Sequence, residues 1–491
     1  MISKVLGILM MIFSLTLLPP IFVSYVFEEG AHQDFLLSFA VIFSIGMIMW
    51  LPFSAKKTEL RARDGLLITV MFWLELGIVG ALPFYLADSI NLTVTDAIFE
   101  SMSGLTTTGA TAISGLDLLP KSILYYRQQL QWLGGIGIVV IAIAVMPMLG
   151  VGVIELYRAG ATSDKKLTPR IQDTAKVLFI IYMCLTLCCL IAYWVAGMTF
   201  FDAVSHSFST VAIGGFSTHD ASMGFFNDTP AIMIICIIFM ILSGLSFGLH
   251  YYAWIRKSLK HYLHNEEAKL YLSILVFGSA LVVIYLYSTN VYSQSDSLYH
   301  GVFQFVSIMT TTGFVTKAYT SWPSFLPFFL ILCSFFGSCA GSTGGGIKIG
   351  RVLIIAKQII CHTQRFIHPN GVFRIKIKNK NVPNSFTDGV WAFFGIYIAI
   401  FYLMILLLMA TGIDYESSWS AAAASLNNLG PGLGVVAENY ANISIFAKYV
   451  LCFGIILGRL ELFVVLIFIT PVYWRKYKYN HWLIICNFKF F

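Results

Sequence analysis

Ten apolar runs divide this chain of 491 residues, and their length limits what they can become. They fall at about 5–26, 35–54, 65–87, 127–149, 176–196, 230–255, 269–289, 325–357, 387–411 and 446–472. Each approaches or exceeds the roughly 18 residues that let a helix cross a hydrocarbon core of about 30 Å. Inside lipid every backbone N–H and C=O must be bonded internally, so the runs predict helices. Charge points the same way. Only 11% of residues are charged, against about 25% in a soluble domain, too few to cover a water-facing surface of this size. The net charge of +7 comes from residues scattered through short loops rather than from a basic domain, which argues against nucleic acid as a partner. The first run follows Lys4 but has no A-x-A cleavage site and continues through Ile21-Phe22-Val23, so it reads as a transmembrane helix rather than a removed leader. Cysteines such as Cys184, Cys189, Cys236 and Cys333 lie inside the runs without zinc-type spacing and read as packing residues.

Lysine and arginine placement gives the layout a direction. With the N-terminus in the cytoplasm, 26 of the 31 basic residues fall on the inner side, as the positive-inside rule requires. Lys121, Arg127, Lys317 and Lys448 lie toward the outer face, and Arg459 lies within a run. The outer segments lean acidic through Glu28, Asp88, Asp96, Glu100, Asp202, Asp220 and Asp414. Such residues either concentrate cations at a pore mouth or are simply solvated.

One phrase recurs in four of these outer segments. It runs Asp96-AIFESMSGLTTTG-Ala110, Asp202-AVSHSFSTVAIGG-Phe216, His300-GVFQFVSIMTTTG-Phe314 and Trp419-SAAAASLNNLG-Pro431. Each joins a helix-compatible stretch to a small or polar one ending in Gly109, Gly215, Gly313 or Gly430. Each also lies between an outward and an inward run, and a long fixed period of this kind means a repeat architecture. The expectation is an all-α polytopic membrane protein. Two N-terminal helices (1–64) precede four helix–pore loop–helix repeats (65–155, 156–260, 261–365 and 366–491), in pseudo-fourfold arrangement around a central pore.

Such loops suit a small monovalent cation. A dehydrated cation needs oxygens in place of its water shell, and rings of backbone carbonyls supply them. Glycine admits the backbone geometry this requires. Thr106-Thr107-Thr108-Gly109 and Thr310-Thr311-Thr312-Gly313 fit well, whereas Ala212-Ile213-Gly214-Gly215 and Asn427-Asn428-Leu429-Gly430 are degenerate. If carbonyls do the binding, that degeneracy matters little.

These phrases, with LYYRQQLQWLGGIG (124–137), KLTPR (166–170), GGFSTHD (214–220), GSTGGGIK (341–348), NNLGPG (427–432) and ILGRLE (456–461), resemble the bacterial Trk/Ktr/HKT superfamily of K⁺ transporters, above all its TrkH/TrkG membrane subunits. The resemblance covers nearly the whole chain. It implies K⁺ uptake across the bacterial inner membrane, with both termini cytoplasmic. Carbonyls of Thr107, Thr108, Ile213, Gly214, Thr311, Thr312, Asn428 and Leu429, with the four glycines, would bind K⁺. Rb⁺ would also be accepted and Na⁺ less well. The fourth loop has two possible registers, because Gly430-Pro431-Gly432 offers two glycines. The resemblance further implies a homodimer gated by a cytosolic nucleotide-binding ring of the TrkA type, with no cofactor in the chain.

Two features fit a gate. Gly341, Gly344, Gly345 and Gly346 interrupt the run 325–357, where glycine disfavours helix. The resemblance makes this an intramembrane loop under the third filter; a packing kink is the alternative. A phosphate loop is excluded, because Ile347 separates glycine from Lys348 and no Ser or Thr follows. Arg459 lies mid-run, where a charge costs about 2.5–3.5 kcal/mol on insertion scales. The resemblance turns it toward the pore as a barrier to K⁺; an internal pair, for instance with Glu461, is the alternative. His206 and His219 flank the second filter as tuning or merely polar residues. The absence of a deep acidic relay favours channel-like permeation over ion-coupled symport. No cluster of acids, histidines or nucleophiles supports an enzyme.

Overall fold

The computed structural model describes residues 2–54, 62–144, 171–377, 380–460 and 462–470. The KLTPR phrase at 166–170, Glu461 and the tail at 480–491 lie outside the described residues. Two leading passages come first: α1 (Ile2–Leu15) with α2 (Leu18–Val26), then α3 (His32–Trp50). Pro19 and Pro20 sit in the first turn of α2, where a missing N–H costs no helical bond. Gly7 and Gly46 bring the two passages into backbone contact, since a Cβ on either would lie within 3 Å of the other's carbonyl oxygen.

Four units follow. The first holds α4 (Ala62–Val79), α5 (Leu82–Leu86), the pore helix α6 (Val94–Leu105) and α7 (Lys121–Ala144). The second holds α8 (Ile171–Val195), the pore helix α9 (Phe200–Ala212), α10 (Pro230–Gly244) and α11 (Phe247–Ile255). After the short α12 (Lys260–His264), the third holds α13 (Glu266–Ser288), the pore helix α14 (Gln294–Met309), α15 (Phe325–Ser334) and α16 (Ile349–Ile367). The fourth holds α17 (Asn384–Met409), the pore helix α18 (Tyr415–Leu426), α19 (Ile445–Arg459) and α20 (Leu462–Ile469). An antiparallel ladder of two residues per strand, β1 (Lys376–Ile377) with β2 (Lys380–Asn381), precedes α17 and is the one departure from helix and loop among the described residues.

The ten runs are not all continuous helices; the interruption expected in 325–357 is present, and two further runs are broken. Among the described residues six helical passages are long and apolar enough to cross a membrane, and a seventh qualifies only as the bent pair α10–α11. That pair turns by 94° at Leu245 and Ser246. The run 325–357 contains α15, only ten residues long, the glycine segment and α16. The run 446–472 breaks after Arg459. Broken helices are tolerated at membrane depth only where other groups satisfy the freed backbone. Here the glycine segment does so: Cys339 N–H donates to the Gly244 carbonyl at 2.9 Å, and Phe247 N–H donates to the Gly341 carbonyl at 3.1 Å.

The pore helices start for a reason visible in sequence. Thr93, Thr199, Ser293 and Asp414 each cap one, accepting from the N–H three residues on. In the first three the N–H belongs to Asp96, Asp202 or Asp296, whose carboxylate accepts from the capping hydroxyl in return. Each cap is worth about 1 kcal/mol. Alignment on glycine sets His300 opposite Asp96 and Asp202, but the structural counterpart is Asp296, because α14 starts one turn earlier. Lys448 in α19 reaches across to Asp96, tying the fourth unit to the first.

Close packing on the pore helices depends on small residues. A Cβ on Gly134 of α7 would overlap the Leu105 carbonyl oxygen at the end of α6. Gly134→Ala should therefore lower the melting temperature and monodisperse yield of detergent-solubilised protein, overpacking costing about 1–3 kcal/mol. Gly395→Ala in α17, where a Cβ meets nothing within 4 Å, should leave both unchanged; thermal-shift chromatography compares the two.

Candidate ion-conduction site

All four pore helices end the same way. The residue two before each glycine has positive φ: Thr107 at 55°, Ile213 at 56°, Thr311 at 66° and Asn428 at 53°. The next N–H bonds back to the carbonyl five residues earlier, at 2.8 Å for Thr108 to Ser103, 2.9 Å for Gly214 to Ser209, 2.8 Å for Thr312 to Ser307 and 2.8 Å for Leu429 to Ala424. This is the Schellman closure of a helix C-terminus, with a non-glycine residue in the left-handed position. The glycines then take positive φ themselves: Gly109 at 80°, Gly215 at 79°, Gly313 at 85° and Gly430 at 96°. Gly430 rather than Gly432 shares this conformation.

The loops form a closed ring. A Cβ on Gly109 would overlap the Gly214 carbonyl oxygen. Gly215 stands in the same relation to Thr312, Gly313 to Leu429, and Gly430 to Thr108. Each filter glycine therefore abuts the carbonyl preceding the glycine of the next loop, in the order one to two to three to four to one. Bonds between neighbouring units repeat that order on the outer side. Arg127 donates to the Ser217 carbonyl at 3.1 Å, Asn227 to that of Thr316 at 3.1 Å, Tyr319 to that of Gly432 at 3.0 Å, and Tyr440 N–H to that of Thr111 at 2.8 Å.

Thr107, Thr108, Ile213, Thr311, Thr312, Asn428 and Leu429 are at most 1% exposed. Among the described residues their carbonyls accept no hydrogen bond from protein. Two other carbonyls of the ring are engaged: that of Gly214 accepts from Gln131 Nε2 at 2.6 Å, and that of Gly430 accepts from the Tyr440 hydroxyl at 2.8 Å. Buried carbonyls are nearly always paired, with water if not with protein, so these oxygens face a partner that is not protein. The helix C-termini beneath it add the negative end of four macrodipoles. Side chains stiffen the same loops. Thr106 and Thr108 share a hydroxyl hydrogen bond of 2.8 Å, as do Thr310 and Thr312. Asn428 Nδ2 donates to Thr108 Oγ1 at 3.0 Å, and Asn427 joins Ser334 and Tyr397. The asparagines of the fourth loop are cross-ties rather than neutral replacements, which corrects the expectation that side-chain degeneracy matters little.

Outside the ring lies a cavity of about 660 Å³, bounded by Gly109, Gly215, Gly313 and Gly430 below and by Arg127, Asp220, Lys317 and Glu438 among its walls. His206 is buried behind the second loop and hydrogen-bonds Ser217 Oγ at 2.9 Å. His219 pairs with Asp117 at 2.6 Å and lies 3.5 Å from Asp202. Burial alone would lower the His219 pKa, but the Asp202 and Asp117 carboxylates outweigh it and the net shift is upward. Glu100 and Asp96 are not the solvated acids that their outer position suggested. Glu100 is fully buried against Arg127, and Asp96 is bound by Lys448.

Beneath the ring the glycine segment, itself part of the third unit, bonds the ends of the second, third and fourth pore helices. Thr343 Oγ1 donates to the Val211 carbonyl at 3.1 Å, Gly345 N–H to Thr311 Oγ1 at 2.7 Å, and Gly346 N–H to the Asn427 carbonyl at 3.1 Å. A Cβ on Gly345 would overlap the Asn427 carbonyl oxygen, and one on Gly344 would overlap Ser338 Oγ. Gly341 has positive φ and carries the bond to Phe247. Arg459 donates to the Thr343 carbonyl at 2.8 Å and, at 3.4 Å, to that of Gly134, with Trp73 facing its guanidinium at 6.0 Å. Lys348 donates to the Gly344 carbonyl. The space left between this segment and the α19–α20 break is about 40 Å³, room for very few waters.

Sequence reasoning missed Arg127, Gln131 and Glu100 as parts of the site. The signal lay in RQQLQ, because four long polar residues in the middle of an apolar helix have to find buried partners; Arg127, Gln128, Gln129 and Gln131 are all buried.

Comparison with known proteins agrees with this geometry. The TrkH family, described as a cation transport protein, matches residues 31–476. The Trk system potassium uptake protein TrkH of Halomonas elongata is 49% identical over 97% of this chain and 99% of its own length. The protein of that name from Escherichia coli K12 is 46% identical, and the potassium uptake protein TrkG of the same strain 37%, each over 97% of this chain. The crystal structure of the potassium transporter TrkH from Vibrio parahaemolyticus superposes with a TM-score of 0.90 at 46% identity, covering 96% of this chain and 99% of that one. The chain is thus a multi-pass membrane transporter, not an enzyme, and it belongs to the TrkH family of cation transport proteins.

Proposed function

We propose that this protein takes K⁺ into the cell through the four-loop ring, in channel-like fashion. The observation that carries the reading is the ring itself: four strained helix ends, closed on one another, with buried carbonyls that accept nothing from protein. Those oxygens replace the water shell of a dehydrated cation, and the helix ends beneath favour positive charge. The K⁺ ligands are the carbonyls of Thr107, Thr108, Ile213, Thr311, Thr312, Asn428 and Leu429, with Gly109, Gly215, Gly313 and Gly430 shaping the ring. Gly214 takes part more weakly, because Gln131 already holds its carbonyl. The relatives named as potassium uptake proteins support K⁺ as the ion. The repeat boundaries at 65–155, 156–260, 261–365 and 366–491 describe the same fourfold unit.

The segment with Gly341, Gly344, Gly345 and Gly346 acts as the gate, with Arg459 as its bolt. In the closed state Arg459 holds the segment by the Thr343 carbonyl and places a positive charge on the path. A charge at that depth is expensive unless water or protein solvates it. The resemblance adds the rest of the assembly: a homodimer in the bacterial inner membrane, both termini in the cytoplasm, and a TrkA-like nucleotide-binding ring that pulls the gate open from the cytosolic side.

Complementation of a K⁺-uptake-deficient bacterium, with and without a TrkA partner, tests the function. Growth at low K⁺ is expected with the partner, and failure in both settings with protein present in the membrane refutes it. Gly215→Ala, which drives a Cβ into the Thr312 carbonyl, should abolish uptake at equal membrane abundance.

Arg459→Ala should raise K⁺ flux in reconstituted vesicles by about ten- to a hundredfold, the loss of a charged hydrogen bond worth about 1.5–3 kcal/mol. Flux equal to that of the unmodified protein would remove Arg459 from the gate.

A further inference from the structure

The position nine residues before each filter glycine is occupied by Glu100, His206, Gln304 and Ala421 in the four units. It faces the back of its own loop, and what it holds there weakens around the ring. Glu100 accepts from Ala112 N–H at 2.9 Å and from Thr111 Oγ1 at 3.0 Å, so it grips the loop just beyond Gly109. His206 hydrogen-bonds Ser217 at 2.9 Å. Gln304 reaches the Phe314 carbonyl only at 3.5 Å, and Ala421 has nothing to offer. Only the first position is charged, and its counter-ion is supplied from the neighbouring helix.

That counter-ion is Arg127, which like Glu100 is 0% exposed. Its Nε donates to Glu100 Oε1 at 2.8 Å and its NH2 to Thr111 Oγ1 at 3.1 Å. Its NH1 donates to the Ser217 carbonyl of the second loop, and its guanidinium lies 4.2 Å from the centre of the Phe216 ring. One turn further along α7, Gln131 holds Gly214, Phe216 and Ser209. The pair therefore grips the outer rungs of two adjacent filter loops and touches no carbonyl of the filter itself. A buried ion pair has few low-cost alternatives, because separating it strands a charge away from water.

We propose that the Glu100–Arg127 pair is the positioning brace that sets discrimination between K⁺ and the smaller Na⁺. A carbonyl ring prefers the larger ion only if it resists closing around the smaller one. The first two loops resist through the buried pair, whereas the third and fourth have weaker bracing at this position. The inference rests on reading the four loops as a K⁺ filter. Releasing the pair leaves the filter carbonyls and the gate intact, so K⁺ still passes while Na⁺ gains.

Bi-ionic reversal potentials of the full-length protein in vesicles test this, with Glu100→Gln, Thr111→Val and Arg127→Lys. Each is expected to conduct K⁺ with the K⁺-to-Na⁺ permeability ratio lowered about fivefold or more, the size of a coupling carried through an intervening network. Lys448→Gln breaks another ion pair, one only partly buried that bonds none of the residues flanking Gly109 or Gly215, and should change the ratio by less than about twofold, within the spread of uncoupled sites. If Glu100→Gln fails to reach the membrane, Thr111→Val decides, because it removes the hydroxyl shared by the two charged groups and, besides that, only local bonding with Ile113. An unchanged ratio in Thr111→Val, or an equal fall in Lys448→Gln, overturns the proposal. An unmodified protein that does not select K⁺ over Na⁺ overturns the function itself.

Discussion

The closed ring of four loops depends on one strained backbone position, used four times. A left-handed conformation at a non-glycine residue costs about 1–2 kcal/mol, and it is least tolerable at a β-branched one. Thr107, Ile213 and Thr311 are β-branched, and Asn428 completes the set. Strain persists only where the surroundings over-determine it. Here they do, because the Schellman bond closes each helix end and the following glycine is wedged against the next loop's carbonyl. No single loop could hold this shape by itself. The ring closes because each member presses on the next, which is why loops as different as TTTG and NNLG adopt one backbone.

The glycine segment beneath the ring is held on a smaller energy scale. The glycine segment is held to the pore helices by three hydrogen bonds through Thr343, Gly345 and Gly346, and to α19 by the charged bond from Arg459. A neutral bond of this kind is worth about 0.5–1.5 kcal/mol and a charged one about 1.5–3. Ser338, Cys339, Ala340 and Gly341 add further bonds, to Thr310, Gly244, Glu267 and Phe247. A ring locked by mutual wedging thus sits above a segment held by separate hydrogen bonds.

Much of this was legible from the chain. Apolar run length gave the helical class, and the repeated glycine phrase gave the four loops. What stayed hidden follows from physics that sequence spacing does not carry. The 94° turn at Leu245 and Ser246 is unreadable because its hydrophobicity is that of a continuous span; the turn is stable only because Cys339 and Gly341, nearly a hundred residues later, bond its freed backbone. The early start of α14 was masked by aligning on glycine rather than on the cap. Glu100 looked like a surface acid because its partner, Arg127, lies beyond the loop on another helix. Residues whose role is set by a distant partner are the ones that local pattern misreads.

The bend in α10–α11 and the glycine segment therefore form one unit. Gly244 has its carbonyl and Phe247 its N–H satisfied by the same segment that lies beneath the ring. An unpaired amide group in an apolar surrounding costs several kcal/mol, so the segment cannot leave while that level stays dry. Either water follows it in, or α10 and α11 straighten and bond each other directly. Both routes end with a hydrated or widened path beneath the filter, which an ion leaving the carbonyl ring requires. The broken helix and the glycine segment thus hold each other in place at that depth.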